Sequence, residues 1–515
     1  MSNVLTRAGA VGALTDEQRL AAATSTRNIF IEAGPGTGKT TVSAHRFGVQ
    51  RFAPQYRHDL RAVVAVSFTR AATYNLRRRV QRLWGPSALA WPHRVITLDT
   101  VMCDLLHDLL RAGFLVWPNQ TDLWPEGQIA LDVHDSWASF SGSTWNRTTY
   151  NLAVVDRNVR VERGFKPTAS SSIPATETVP LLLRGICTHQ DVRDVLEQAL
   201  EIPAITDYVR RRLRSTMRAL IVDEVFDAND LDIAIIEAAI SAGITVTLVG
   251  DPWQALYVFR GARPQLVPEF LQRADVRTMP LTQSFRWRDN RQRELSLALR
   301  GGEAVVLPTV TPAAVVGDLS VVLALWWKSL WELGARVLPL AFHAFKGGYE
   351  EAAATLLLNH VTRSVLDLDA TYLNDALTAL AIRDREVPRL LEPDLQRVSE
   401  TLRSGGRVAV TAAYHELVEV VSHVSPRRLR PAHPAHTSRL ALVQERLAYP
   451  GRPVPGLTTH QAKGGEWDQV GVRLADSERA SLEGGLSVDE DTHRKLYVAC
   501  TRARWRTVEV KPISA

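Results

Sequence analysis

Short apolar runs and helically spaced stretches alternate along the first hundred residues. Residues 29–33, 62–67 and 94–98 are compact apolar runs of the kind that fill a sheet buried on both faces, and 39–50 and 70–83 between them carry helical spacing. That order predicts βαβ units and a parallel sheet. From about Val101 to Met217 the rhythm changes. Helical patterning at 101–112 and 188–214 flanks a Ser/Thr/Pro-rich stretch at 168–180 that reads as loop, so a mostly helical inserted subdomain is expected. The sheet rhythm resumes with ALIVDE at 219–224 and TVTLVGD at 245–251, and a second α/β unit is patterned at 336–361 and 455–510. The expected organisation is a tail at 1–13, a first unit over 14–100 and 216–280 interrupted by 101–215, and a second over 281–361 and 452–515 interrupted by a short helical insertion at 362–451. No solenoid-type repeat is present.

A chain of 515 residues exceeds one hydrophobic core, and 45% hydrophobic against 23% charged residues describes globular units rather than disorder. No run of about 18 apolar residues occurs, and the N-terminus MSNVLTRAGAVGAL lacks a cleavage pattern, so a cytoplasmic protein without a membrane partner is expected. Cys103, Cys187 and Cys500 form no CxxC pair, which argues against a disulfide framework, a zinc ribbon or an iron–sulfur cluster. His433 and His436 stand among prolines and arginines and read as a solvated loop rather than a metal site. The net charge of +6 is compatible with a polyanion but weak over this length. Arginines cluster at Arg77, Arg78, Arg79 and Arg82 and again at Arg210, Arg211, Arg212, Arg214 and Arg218, patterns that alone describe solvated helix faces.

The chemistry is carried first by Ile29 to Thr41, IFIEAGPGTGKTT, an apolar strand running into a Gly-rich turn. Gly34, Gly36 and Gly38 let backbone N–H groups face a phosphate without Cβ interference, Lys39 can reach the outer phosphates, and the Thr40 hydroxyl suits Mg²⁺; Thr37 and Thr41 complete the phosphate-facing stretch. The strict spacing would place glycine where Ala33 stands. The second element is the apolar run Ala219 to Val222 ending in Asp223 and Glu224, which brings two carboxylates to the sheet edge beside the turn. Asp223 can hold Mg²⁺, and Glu224 is placed to orient or deprotonate an attacking water.

An ordered series of motifs resembles the superfamily 1A helicases of the UvrD/Rep/PcrA type. It comprises Leu14–Gln18, Ser67–Ala72, Asp223–Asp227, Gly250–Ala262, Ser284–Arg286, Thr458–Asp468 and Leu496–Ala503. The resemblance implies two RecA-like parallel-sheet P-loop domains, each with a helical insertion, with Mg²⁺ and ATP between them and 3′ to 5′ movement on single-stranded or tailed duplex DNA. It further implies that Gln18 reads the adenine edge, that Phe285 stacks on the base and that Glu466 lies near the ribose. Gln254 would sense the γ-phosphate and relay its loss to Tyr257, Phe259 and Arg260. Arg286 and Arg502 would act as arginine fingers once the units close. DNA contacts are implied at Phe68, Thr69, Arg70, Thr97, Tyr257, Phe259, Arg260, Thr458 and His460.

Departures from the pattern bear on coupling. Asp99 stands where the family often has histidine, and a carboxylate there repels phosphate unless it is paired. Phe226 replaces a glutamine, Trp253 a polar residue and Gly465 an apolar one. The segment from Arg286 to Thr458 is short, and the chain ends soon after Arg502, leaving no room for a RecB-like nuclease or a long tail. That compact build resembles the helicase-like component of the Gabija anti-phage system, which works with a nuclease subunit; a role in DNA repair is the other pathway expected of the family. A DNA-stimulated ATPase that senses or moves on DNA without unwinding it is the alternative.

Overall fold

Two wholly parallel six-stranded sheets organise the chain. The computed structural model describes residues 14–512 apart from 126, 135–143, 173–174, 311–317 and 385, so the expected tail at 1–13 lies outside the described residues. The first unit runs α1 (Asp16–Ala23), β1 (Asn28–Ala33), α2 (Lys39–Phe52), β2 (Ala62–Ser67), α3 (Arg70–Trp84), β3 (Arg94–Thr97) and α4 (Leu98–Arg111). After the insertion come β6 (Met217–Asp223), α7 (Asp230–Ser241), β7 (Thr245–Gly250) and β8 (Arg277–Leu281). Their order across the sheet is β8-β1-β7-β6-β2-β3. Every residue of β2 and β6 is buried, which explains why both strands read as continuous apolar runs rather than alternating ones.

Alternate residues of β2 feed two different cores. Val63 and Ala65 pack with Ala44, Phe47, Leu76 and Val80 on one face. On the other, Val64 and Val66 join the apolar side of α4 and residues of the insertion in a single continuous core. Among the described residues the first insertion therefore shares this core and is anchored to it through α4.

That insertion contains more strand than its sequence suggests. A long hairpin pairs β4 (Thr144–Val155) with β5 (Asn158–Ser172) through a turn at Asp156 and Arg157, both in the left-handed region at φ 47° and 67°. Residues 168–172, expected as loop, continue β5, and a helix begins at Ala175. Leu152 and Val159 are buried in the shared core, with Val154 and Val161 beside them, while Asn151, Arg160 and Glu162 face outward. The apolar face is too short to set up a clear alternation. The helices α5 (His189–Ala199) and α6 (Pro203–Thr216) fall where helical spacing placed them.

One ion network fixes this insertion to the first unit. Arg193 of α5 donates from Nε to Asp99 at 2.8 Å and from Nη1 to Asp232 at 3.1 Å. Asp99 is thus paired, which removes the repulsion its carboxylate would otherwise offer to a phosphate. Asp232 is only 3% exposed, so Arg193→Met strands a buried carboxylate and is expected to cost about 3 kcal/mol, read as a lower urea midpoint with unchanged slope.

The second unit comprises α8 (Asn290–Arg300), β9 (Thr309–Val310), β10 (Val321–Ala324), β11 (Val337–Pro339), α9 (Tyr349–Leu366), α10 (Glu392–Arg403), α11 (Gly406–Ser422), α12 (Pro434–Leu447), β12 (Val454–Thr458), β13 (Trp467–Arg473), α13 (Asp491–Cys500) and β14 (Ala503–Val510). Strand order is β9-β14-β13-β10-β12-β11. Helices α9 to α12 share one core with Val322 and Ala324. α9 runs unbroken past residue 361, so the sheet unit and the short insertion meet within a helix rather than at a linker. No described helix is long and apolar enough to cross a membrane. His433 caps α12 and His436 hydrogen-bonds the Pro431 carbonyl.

Candidate nucleotide and nucleic-acid site

The Gly-rich turn joins β1 to the first residue of α2, so helix N–H groups and the positive end of the helix dipole face the same space as the turn. Gly36 and Gly38 have φ of 73° and 87°, and a Cβ on Gly36 would lie 2.4 Å from Arg286 Cβ. Both glycines are therefore required by conformation and by space. Lys39 folds back to donate to the Ala33 carbonyl at 3.0 Å, Thr37 donates to the Gly34 carbonyl at 2.9 Å, and Thr40 sits in the first turn of α2. Thr41 accepts from Arg79, which takes that arginine out of the exposed basic face of α3. Gln18 is buried: its Nε2 donates to the Thr37 carbonyl at 2.8 Å and its Oε1 accepts from Thr15 N–H in a capping box, so its amide supports the turn.

β6 delivers Asp223 and Glu224 two strands from β1. Asp223 is buried, and its Oδ1 has no hydrogen-bond partner among the described residues. Burial, then Glu224, pushes its carboxyl up to about 7, against Lys39 and Lys463. A buried carboxylate oxygen without a donor suits a cation. Glu224 sits at φ 63°, a strained conformation for a residue with a side chain. Burial pushes its carboxyl up, but Lys463, Lys39 and Arg502 together hold it below the usual range.

The second unit is already against this loop. Ser284 donates to the Pro35 carbonyl at 2.7 Å and Phe285 N–H to the Gly36 carbonyl at 2.9 Å, leaving the Phe285 ring 51% exposed beside the turn. Arg286 is buried and held by the Thr501 carbonyl at 2.9 Å and by Glu466 at 3.2 Å. Glu466 also meets Arg504 at 3.0 Å, so its carboxylate lies between two guanidiniums. Gln254 is clamped: its Nε2 donates to Asp251 at 2.8 Å and its Oε1 accepts from Arg502 at 3.1 Å. Trp253 packs with its ring centre 4.9 Å from that of Tyr497, the planes tilted by 39°, and joins a core made mostly of second-unit residues, which is how an aromatic ring serves at that position. Phe226 packs edge-on against Phe30. Gly465 lies under the Trp467 ring, where a Cβ would come within 2.4 Å.

Four residues expected at the nucleic acid come together. Phe259 is 64% exposed, its ring 5.1 Å from that of His460 and 6.0 Å from that of Tyr257, with the Arg260 guanidinium over both Tyr257 and Phe259. An exposed ring flanked by a guanidinium offers a face on which a planar group can stack. Phe68, Thr69 and Arg70 follow the C-terminal end of β2, and Thr97 is the last residue of the paired strand β3; Thr69 and Thr97 cap α3 and α4. Thr458 is buried at the end of β12.

Sequence reasoning gave no role to Lys463, Asp227, Asp251 or Arg300. Lys463 pairs with Asp227 and donates to the Gln254 carbonyl at 2.8 Å; Arg300 pairs with Asp251 at 2.9 Å. The available signals were an acid three residues after Glu224 and a lysine before Gly464-Gly465, each ordinary alone.

Residues 17–260 match the AAA domain family. The chain is 27% identical over 300 residues to DNA helicase II of Escherichia coli (strain K12), an alignment covering 54% of this chain and 39% of that protein. It is 23% identical over 253 residues to the ATP-dependent DNA helicase Rep of the same strain, covering 46% and 35%. To the ATP-dependent DNA helicase UvrD2 of Mycobacterium tuberculosis (strain ATCC 25618 / H37Rv) it is 25% identical over 300 residues, covering 54% and 42%. The chain spans about two fifths of the length of these relatives. With the motif series set around one cleft between two parallel sheets, the chain is similar to these UvrD- and Rep-type helicases over about half of its length.

Proposed function

We propose that the chain is an ATP-driven motor on single-stranded DNA, a 3′ to 5′ helicase by family, with ATP hydrolysed in the cleft between the two sheets. The observation that carries this reading is the continuity of one short segment. Gln254 touches Arg502 through its side chain and Lys463 through its carbonyl, and Tyr257 to Arg260, with their exposed platform, follow directly. Phosphate sensing and base stacking in this reading share one short stretch of chain.

In this reading the turn from Gly34 to Thr41 binds the triphosphate and Phe285 stacks on the base, with Gln18 and Glu466 at the adenine and ribose side. Mg²⁺, which neutralises phosphate charge when bound, fits the Thr40 hydroxyl and the orphaned Asp223 Oδ1. Glu224 takes a proton from water. Lys39, Arg286 and Arg502 supply positive charge where the transition state needs it. The platform at Tyr257, Phe259, Arg260 and His460 grips bases, and Phe68, Thr69, Arg70, Thr97 and Thr458, at the C-terminal ends of β2, β3 and β12, are the further contacts of this reading.

The direct test is steady-state ATP turnover with and without single-stranded DNA, alongside Lys39→Ala. A rate that rises many-fold with DNA and vanishes in Lys39→Ala supports the motor; a rate indifferent to DNA rejects it. Phe259→Ala should weaken single-stranded DNA binding by about 1–3 kcal/mol with no change in nucleotide affinity, measured by fluorescence anisotropy. A tailed-duplex displacement assay separates an unwinding motor from one that moves or senses without unwinding. Whether the chain acts with a nuclease subunit is tested by co-purification from its native host.

A further inference from the structure

Lys463 lies in the loop that follows β12 of the second unit, yet its ammonium is inside the first unit's acidic site and its side chain is only 10% exposed. It pairs with Asp227, donates to the Gln254 carbonyl at 2.8 Å and stands 3.6 Å from Glu224 Oε2. It also lies 5.2 Å from the centre of the Tyr257 ring. Tyr257 is itself 6.3 Å from the His460 ring and 6.0 Å from that of Phe259, the residues of the exposed platform. One cation therefore touches the base, the phosphate-sensing loop and the inner edge of the stacking surface.

Two like charges cannot sit unscreened beside each other in a buried site, so an ammonium between Glu224 and Asp227 is a stable arrangement. It also occupies part of the carboxylate that a water must reach. Asp227 holds the other side of the same ammonium and accepts Leu256 N–H at 3.3 Å, which ties the pair to the chain leading into Tyr257. Tyr257 therefore lies between the rings of Phe259 and His460 on one side and the Lys463 ammonium on the other, a route of direct contact among the described residues from the exposed platform to Glu224.

The geometry points to Lys463 as a positioning residue that withholds Glu224 from water until the stacking platform is occupied, so that it couples DNA binding to hydrolysis. This rests on the motor reading above and names the regulation of the same site. Lys463 is not a phosphate contact in this scheme; it acts through Glu224.

The test is Lys463→Met in the full chain, compared with Lys463→Arg and with Lys463→Met/Asp227→Asn, in which Asp227 is not left as a buried unpaired charge. Affinity for a fluorescent ATP analogue, measured without turnover, reports the integrity of the nucleotide site in each variant. Removing the ammonium is expected to raise kcat without DNA by about tenfold, to reduce the stimulation by DNA correspondingly, and to leave KM for ATP unchanged. Lys463→Arg is expected to restore a low DNA-free rate. A DNA-stimulated wild type whose stimulation ratio both methionine variants preserve overturns the coupling while leaving the motor intact, and so does a parallel fall of both rates. A wild type indifferent to DNA overturns the motor reading and the coupling together.

Discussion

Lysine in place of Arg502 should lower DNA-stimulated ATP turnover by about a thousandfold, at the lower end of what an arginine finger contributes. Arg502 is buried at the end of α13, where Nε donates to the Val498 carbonyl at 3.1 Å and Nη2 to Gln254 Oε1 at 3.1 Å. Burial, with the neighbouring Arg286, draws its guanidinium down to about 9, which still leaves it charged at neutral pH. A guanidinium can keep both contacts and present a remaining N–H to a phosphate. A single ammonium cannot, because it must abandon either Gln254 or the phosphate. Lysine keeps the charge and much of the volume, so the fold should survive and the loss should fall on kcat. Single-turnover hydrolysis at saturating DNA, with affinity for a non-hydrolysable ATP analogue measured beside it, separates the two. A loss below about tenfold would mean that another cation meets the developing charge, with Arg286 the first to examine.

The parts of this site that could be read from the sequence are those set by local chain geometry. An apolar strand, a glycine turn and a helix must follow one another for a phosphate loop to exist, and a buried strand ending in two acids must place them at one sheet edge. β1, α2 and β6 accordingly fall within a residue or two of their expected positions. What could not be read depends on partners far along the chain. Asp99 meets Arg193 across 94 positions, and Lys463 reaches Asp227 across 236. Neither residue carries a local sign of its partner. β10 is a four-residue central strand followed by Leu325, Trp326 and Trp327, and a run so short does not separate strand from buried helix. The hairpin of β4 and β5 escaped because only a short stretch about Leu152, Val154, Val159 and Val161 faces the core, too few positions to set up an alternating pattern.

Glutamine in place of Glu224 should also abolish most turnover, by about a hundredfold to ten-thousandfold, while ATP still binds. The amide matches the carboxylate in shape and tolerates the left-handed backbone about as well, but it cannot accept a proton from water. Removing this charge leaves Lys463 paired with Asp227 and Lys39 bonded to the Ala33 carbonyl, so no buried cation loses its only partner. Asp223→Asn should behave differently, because losing the orphaned carboxylate oxygen weakens Mg²⁺ and with it the affinity for the Mg²⁺–nucleotide complex. The pair of variants thus divides base from metal ligand: one loses rate at unchanged affinity, the other loses both. Glu224→Gln also bears on Lys463. If the lysine acts only by withholding this carboxylate, adding Lys463→Met to Glu224→Gln should change nothing, since the group it governs is gone, and the two substitutions should be far from additive. A DNA-free rate that still rises in the double variant would place the action of Lys463 on the phosphates or on Gln254 instead.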